Sequence, residues 1–297
     1  MRGTSSKNSS VPRRIFRACA GFVLTIFAGG CLTATMVRLS PGFSADEELL
    51  DARLNQESQA ALRATHNAER SIAAFYFRSL TNILRGDFGY SRSMQRPVRE
   101  LLAARLPVTI RLIGIGLAGA WLLGVSMAAF VVLRRGPISR GLAGAIMGLL
   151  LSVPSGVLAL IIYYQGGPVQ CLIALVLFPK IFQYVRNVLA HAGRLPHVLA
   201  ARARGLGIGR VFLRHVVPAS LPQVLALAGV SVSMAISAAI PVEVICDLPG
   251  IGQLAWKAAL SRDLPLLVNL TFFIVVVTQL GNLLSDCAGA VFTRRGL

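Results

Sequence analysis

Six arginines, Arg186, Arg194, Arg202, Arg204, Arg210 and Arg214, cluster inside a run from Glu100 to Glu243 that contains no further Asp or Glu. Guanidinium groups bind anions, so the cluster is equipped to hold carboxylates of a partner or phosphates of lipid headgroups. Little here is equipped to make or break bonds. The lysines Lys7, Lys180 and Lys257 are never preceded by glycine, so the Gly-Lys-Ser/Thr ending of a phosphate-cradling loop is absent. His191 and His197 stand apart and His215 is isolated; they read as loop histidines rather than ligands. Cys19, Cys31, Cys171, Cys246 and Cys287 form no CxxC pair and read as small apolar fillers. We expect no catalytic residue, no metal and no cofactor. Glu243 is the ionisable group of most interest. It ends an apolar run, and ionisable groups at membrane depth are functional candidates by default; a place in the headgroup region, or a pairing with an arginine, is the plainer alternative. Ser233 and Ser237 on the same run join it as candidate path or gate residues. Gly229, Ser231 and Ala235 lie among them, and the other role open to this small-residue stretch is close helix packing.

These residues need a scaffold, and the composition names its medium. The chain is 297 residues long, 55% hydrophobic and 14% charged, against about 25% charge in a soluble domain. Several uncharged runs reach the roughly 20 residues that a bilayer crossing needs. We expect an all-α membrane protein with six transmembrane helices, at residues 15–37, 108–133, 141–163, 168–189, 221–243 and 264–292. Helices are expected because lipid offers backbone groups no partners, and the long apolar runs lack the alternation of a barrel strand. The first run resembles a secretory signal at its charged start, but its apolar body is long and no A-x-A cleavage pattern follows it; we read a retained anchor.

The net charge of +18 would point to nucleic acid in a soluble protein. Here it falls in short segments between apolar runs, as the positive-inside rule requires, and no nucleic-acid partner is expected. The N-terminal tail, the segment at Arg134, Arg135 and Arg140, the loop after the fourth span, and Arg294 and Arg295 all fall on one side when six spans are counted. That side is expected to be cytoplasmic. The resulting plan is a cytoplasmic tail at 1–14, a first span at 15–37, an external region at 38–107, a core at 108–292 with a cytoplasmic loop at 190–220, and a cytoplasmic tail at 293–297. In the external region 46–84 reads mostly as helix, being without Gly or Pro. Pro107 suits the first turn of the second span.

The loop reads PHVLAARARGLGIGRVFLRHVVPASLP from Pro196 to Pro222. Val198 to Arg204 fits two helical turns, Gly205, Gly207 and Gly209 break them, and Val211 to Val217 fits a second short helix before Pro218. This arrangement resembles the "EAA" coupling loop of ABC-transporter permease subunits, with Ala200, Ala201, Gly205, Val217 and Pro218 in matching positions. Leu199 stands where the general pattern has Glu, and His215 where it has Ile. Two further blocks are similar to the dipeptide, oligopeptide and nickel group of those permeases. One holds Gly86, Asp87, Gly89, Ser91, Pro97, Val98, Leu106, Pro107, Thr109 and Leu112; the other holds Glu243, Pro249, Gly250, Gly252, Leu254, Arg262, Asp263 and Pro265.

The resemblance implies a type I ABC importer permease in a bacterial inner membrane. Its loop residues, with Arg202, Arg204, Arg210 and Arg214, would dock on an ATPase subunit. It also implies a second homologous permease subunit and an extracytoplasmic solute-binding protein. The link between spans three and four, Tyr163 to Gly167, is shorter than is common in that family, which leaves specificity open. A secondary transporter or channel would need intramembrane charges or a matching pair of broken helices, and a non-transporting anchor would need no coupling loop.

Overall fold

The computed structural model describes residues 81–82, 85–134, 136–261 and 263–294, with scattered positions between 21 and 35. The first span, the helix expected at 46–84, Arg262 and the last three residues lie wholly or largely outside the described residues. A short antiparallel hairpin, β1 (Tyr90–Ser91) and β2 (Arg96–Pro97), precedes the helices. Then come α1 (Val98–Arg134), α2 (Pro137–Ser152), α3 (Ser155–Tyr164), α4 (Gln170–Ala192), α5 (Pro196–Ala203) and α6 (Ile208–Val211). A π-helical segment (Phe212–Val216) leads into α7 (Val217–Ile245), followed by α8 (Ile251–Leu260) and α9 (Leu264–Arg294).

Among the described residues four helical stretches are long and apolar enough to cross a bilayer, at 98–134, 170–192, 208–245 and 265–285. The run expected as one straight third span is instead two helices, α2 and α3, bent by 85°. The break has a local cause. Val153 (φ −82°, ψ 121°) precedes Pro154 and is extended, as the clash with a following proline ring demands. Pro107 also departs from expectation: it sits inside α1, not in its first turn. The helix begins as soon as the hairpin ends at Pro97, so about three turns precede the apolar run. Pro179, Pro222 and Pro241 likewise lie within helices.

Contacts divide the chain into two compact units. The larger (105–253 and 278–297) has a core built by α7 against α3 and α4, and by α2 against α4. Leu172, Ile173, Leu177, Phe182, Ala235 and Val242 are fully buried in it. Gly116 and Gly124 allow α1 to close on α4: a Cβ at Gly116 would stand 2.7 Å from the Ile173 Cγ2, and one at Gly124 2.8 Å from the Ile181 Cγ2. Small residues are what lets helices approach where no hydrophobic driving force exists between them. The smaller unit (through 104, and 254–277) contains the hairpin and buries Val98, Leu101, Leu254, Leu266 and Leu270.

Candidate functional site

The basic loop folds as two short helical pieces at the foot of α7. Pro196 opens α5, where its missing N–H costs nothing. Gly205 closes it at φ 78°, a conformation that L side chains resist. After Gly207 the chain turns helical again through α6 and widens into the π segment. Pro218 offers no N–H to the carbonyl of Arg214, and the widened turn sits immediately before it. One face of the loop is pinned to the core through Val198, Ala201, Val211 and Val216, all buried. The other face is open: Leu199, Ile208 and Leu213 are 50%, 55% and 67% exposed. Ala200, Arg202, Arg204, Gly205, Arg210 and Arg214 are exposed too, and Val217 and Pro218 are half-buried at the junction. Among the described residues none of the six clustered arginines makes an ion pair; the closest carboxylates in sequence are Glu100 and Glu243. Apolar and guanidinium groups therefore share one open surface.

Glu243, at the other end of α7, is fully buried. Its carboxylate accepts hydrogen bonds from the Thr109 hydroxyl at 2.6 Å, the Gly252 amide at 2.6 Å and the Gln253 amide at 3.3 Å. The two amides belong to the first turn of α8, which is where a helix presents unpaired N–H groups and favours negative charge. Thr109 in turn accepts from the Ile251 amide at 2.8 Å. Three donors thus converge on one carboxylate, and Gly250 and Gly252 are required beside it. A Cβ at Gly250 would fall on the carboxylate itself, and one at Gly252 would lie 2.7 Å from the Ile240 Cα. Arg105 donates to Gln253 at 3.0 Å alongside.

Ser233 is half-buried and its hydroxyl lies 3.4 Å from the Asn282 Oδ1, while Ser237 is exposed and donates to the Ser233 carbonyl. The neighbouring small residues pack. Gly229 faces Ser285, the Ser285 hydroxyl donates to the carbonyl of Leu225, and the Trp121 indole donates to Ser231 at 3.0 Å. Among the candidate path residues Ser237 is the one left open. Arg111 and Lys180 are exposed on their helices.

The smaller unit holds a second carboxylate clasp. Asp263 is 2% exposed. It accepts from the Ser91 hydroxyl at 2.6 Å, from the Ser93 amide and hydroxyl at 2.9 Å each, and from the Leu266 amide at 3.2 Å. The last bond caps α9, as its position before that helix predicts. Burial pushes the Asp263 carboxyl up, but the hydrogen bonds from Ser91, Ser93 and Leu266 outweigh it and hold the group below the usual Asp range. The sequence marks Ser91 and Asp263 in separate blocks; nothing local tells that they meet, and Ser93 carries no signal of its own. Among the described residues no group of three His, Cys, Asp or Glu could hold a metal ion.

Residues 120–296 match the family described as "Binding-protein-dependent transport system inner membrane component". The oligopeptide transport system permease protein OppB of Haemophilus influenzae is 27% identical over 299 residues, covering 93% of this chain and 96% of its own length. OppB of Escherichia coli K12 is 28% identical over 281 residues, covering 88% and 91%. The fold is similar to a chain of the MetNI methionine ABC transporter in inward-facing form, with TM-score 0.59 and 17% identity over 66% of this chain and 98% of that one.

Proposed function

The chain belongs to the binding-protein-dependent transport system inner membrane component family, and from that premise we propose that it forms one half of the path by which an ABC importer takes up oligopeptides or a closely related solute. It is the permease subunit of that importer. ATP is hydrolysed on separate subunits, a second homologous permease completes the path, and an extracytoplasmic binding protein delivers the solute. The protein spans the inner membrane with both termini in the cytoplasm, the orientation that its arginine distribution favours.

One observation carries the reading. The loop at 190–220 is anchored by a buried apolar face and leaves apolar and cationic side chains uncovered on the other. This is the profile of a helical element laid in a groove of a partner. In use, ATP binding closes the ATPase subunits and draws the paired loops together. Because α6, the π segment and α7 run on without a break, that displacement passes directly to a span and changes which side of the path is open. Ser237 and Ser233 line the path, while Glu243 secures the first turn of α8 at its edge. The relatives' solute supports the peptide reading, and a match over 96% and 91% of the relatives' length supports a permease rather than a non-transporting anchor.

The test is assembly and coupling. A tagged chain purified from its native membrane should bring down ATPase subunits and give solute-stimulated hydrolysis in liposomes. Leu199→Asp and Leu213→Asp, both on the open face, should fold normally yet lose stimulation by about tenfold or more, since buried interface anchors carry most of the association energy. Normal coupling in both variants would sink the docking role of the loop.

A further inference from the structure

Behind the loop lies a cavity of about 780 Å³, within the size range of small-ligand sites. Its walls come from the end of α1, the start of α2, the last turns of α4, α5 and the α6–π junction. Three guanidinium-bearing residues line it, Arg186, Arg194 and Arg202, and most of the remaining lining is aliphatic or aromatic, with Val131, Ile208 and Phe212 among them. Arg186 is half-buried. What it finds inside the chain is the neutral Asn187 side-chain oxygen at 3.3 Å and the ring of Phe182 at 5.7 Å. Neither neutralises it, and a partly desolvated cation without a counter-charge is costly. The carbonyl end of α4 offsets only about half an elementary charge. Among the described residues no carboxylate pairs with Arg186, Arg194 or Arg202, and a counter-ion from outside the chain would satisfy them.

We propose that this cavity binds a phosphate group, brought by an anionic phospholipid whose acyl portion lies against the apolar lining. Free inorganic phosphate is the other source of the same chemistry. Guanidinium pairs match phosphate bidentately, and basic pockets between spans on the cytoplasmic side are suited to anionic headgroups. A partner carboxylate would use the cations but leave the apolar lining unfilled. The site's place in the inner leaflet rests on the orientation proposed above; binding itself does not, and a failed transport assay leaves it untouched.

The experiment uses the purified transporter complex. Lipids retained after detergent washing are identified by mass spectrometry for the wild type, for Arg186→Gln with Arg194→Gln, and for Arg111→Gln, an exposed arginine outside both the cavity lining and the loop. Binding of radiolabelled inorganic phosphate is measured on the same samples after delipidation. Intact assembly of each variant is checked by size-exclusion chromatography. The expected result is an anionic phospholipid retained by the wild type and by Arg111→Gln, and reduced about tenfold or more in the double variant, as loss of charged hydrogen bonds implies. Phosphate binding with the same variant pattern but no retained lipid keeps the site and assigns it to free phosphate. Three outcomes overturn the proposal. Neither ligand binds; or the double variant binds as the wild type does; or a structure of the complex shows an ATPase carboxylate filling the cavity.

Discussion

At the C-terminal end of α7, Glu243 draws three hydrogen bonds from Thr109 and the first turn of α8, all within the chain. About 40 Å along the same helix, by its rise per residue, the arginines around its N-terminal end meet no carboxylate among the described residues. Both ends hold ionisable groups, and both were candidates for function on residue type alone. The difference is satisfaction. A buried carboxyl whose hydrogen-bond partners are all supplied within the chain contributes to the fold, because removing any partner leaves the rest unsatisfied. A charged and apolar surface that meets no carboxylate among the described residues is the one we propose docks on a partner. Asp263 repeats the first pattern in the smaller unit, with four hydrogen bonds of its own.

The comparison can be broken at its strongest point first. Glu243→Leu leaves Thr109 and two amides without their acceptor and should cost about 3 kcal/mol or more, as leaving several buried donors unsatisfied implies. Thermal unfolding of the purified chain and protease sensitivity around 247–261 would read it; an unchanged melting temperature would mean the clasp carries no stability. Next comes Asp263. Its folded pKa lies below the ordinary value of 3.8, so it contributes stability that is fully present above that value and is lost as pH falls through the lower folded value. Asp263→Asn should remove about 1–3 kcal/mol at neutral pH and flatten the acid limb of the stability profile. A variant whose acid limb matches the wild type would refute the assignment. Gly205→Val forces a β-branched residue to φ 78° and should cost about 1–2 kcal/mol, confined to the loop. Hydrogen exchange at 196–211 should rise while the core stays protected. Leu213→Asp should do least to stability, within about 0.5 kcal/mol, being exposed, while coupling falls most. If it instead destabilised the chain as Glu243→Leu does, the contrast between the two ends would collapse.

Much of this was legible beforehand for a plain reason. Apolar runs and arginine placement are one-dimensional quantities, so the spans at α1, α4, α7 and α9 and the helix–break–helix of the loop follow from counting residues and reading glycines and prolines. Proline shows where counting stops. Pro154 breaks its span by 85°, whereas Pro179 and Pro241 sit inside continuous helices. The local penalty is similar in each, so residue type alone does not tell a break from a proline carried inside a helix. Glu243 was singled out by residue type and depth, and its neighbours were invisible.

The amino-acid order alone determined the membrane class, the crowding of arginine into one acid-free stretch, and the family motifs. Tertiary structure decided which polar groups meet. Thr109 and Glu243 are 134 residues apart, and Ser91 and Asp263 are 172. Hydrophobicity and charge act over a whole segment and survive small displacements. A hydrogen bond fails within about half an ångström, so its partners are set only when non-local packing brings the helices to their final distance.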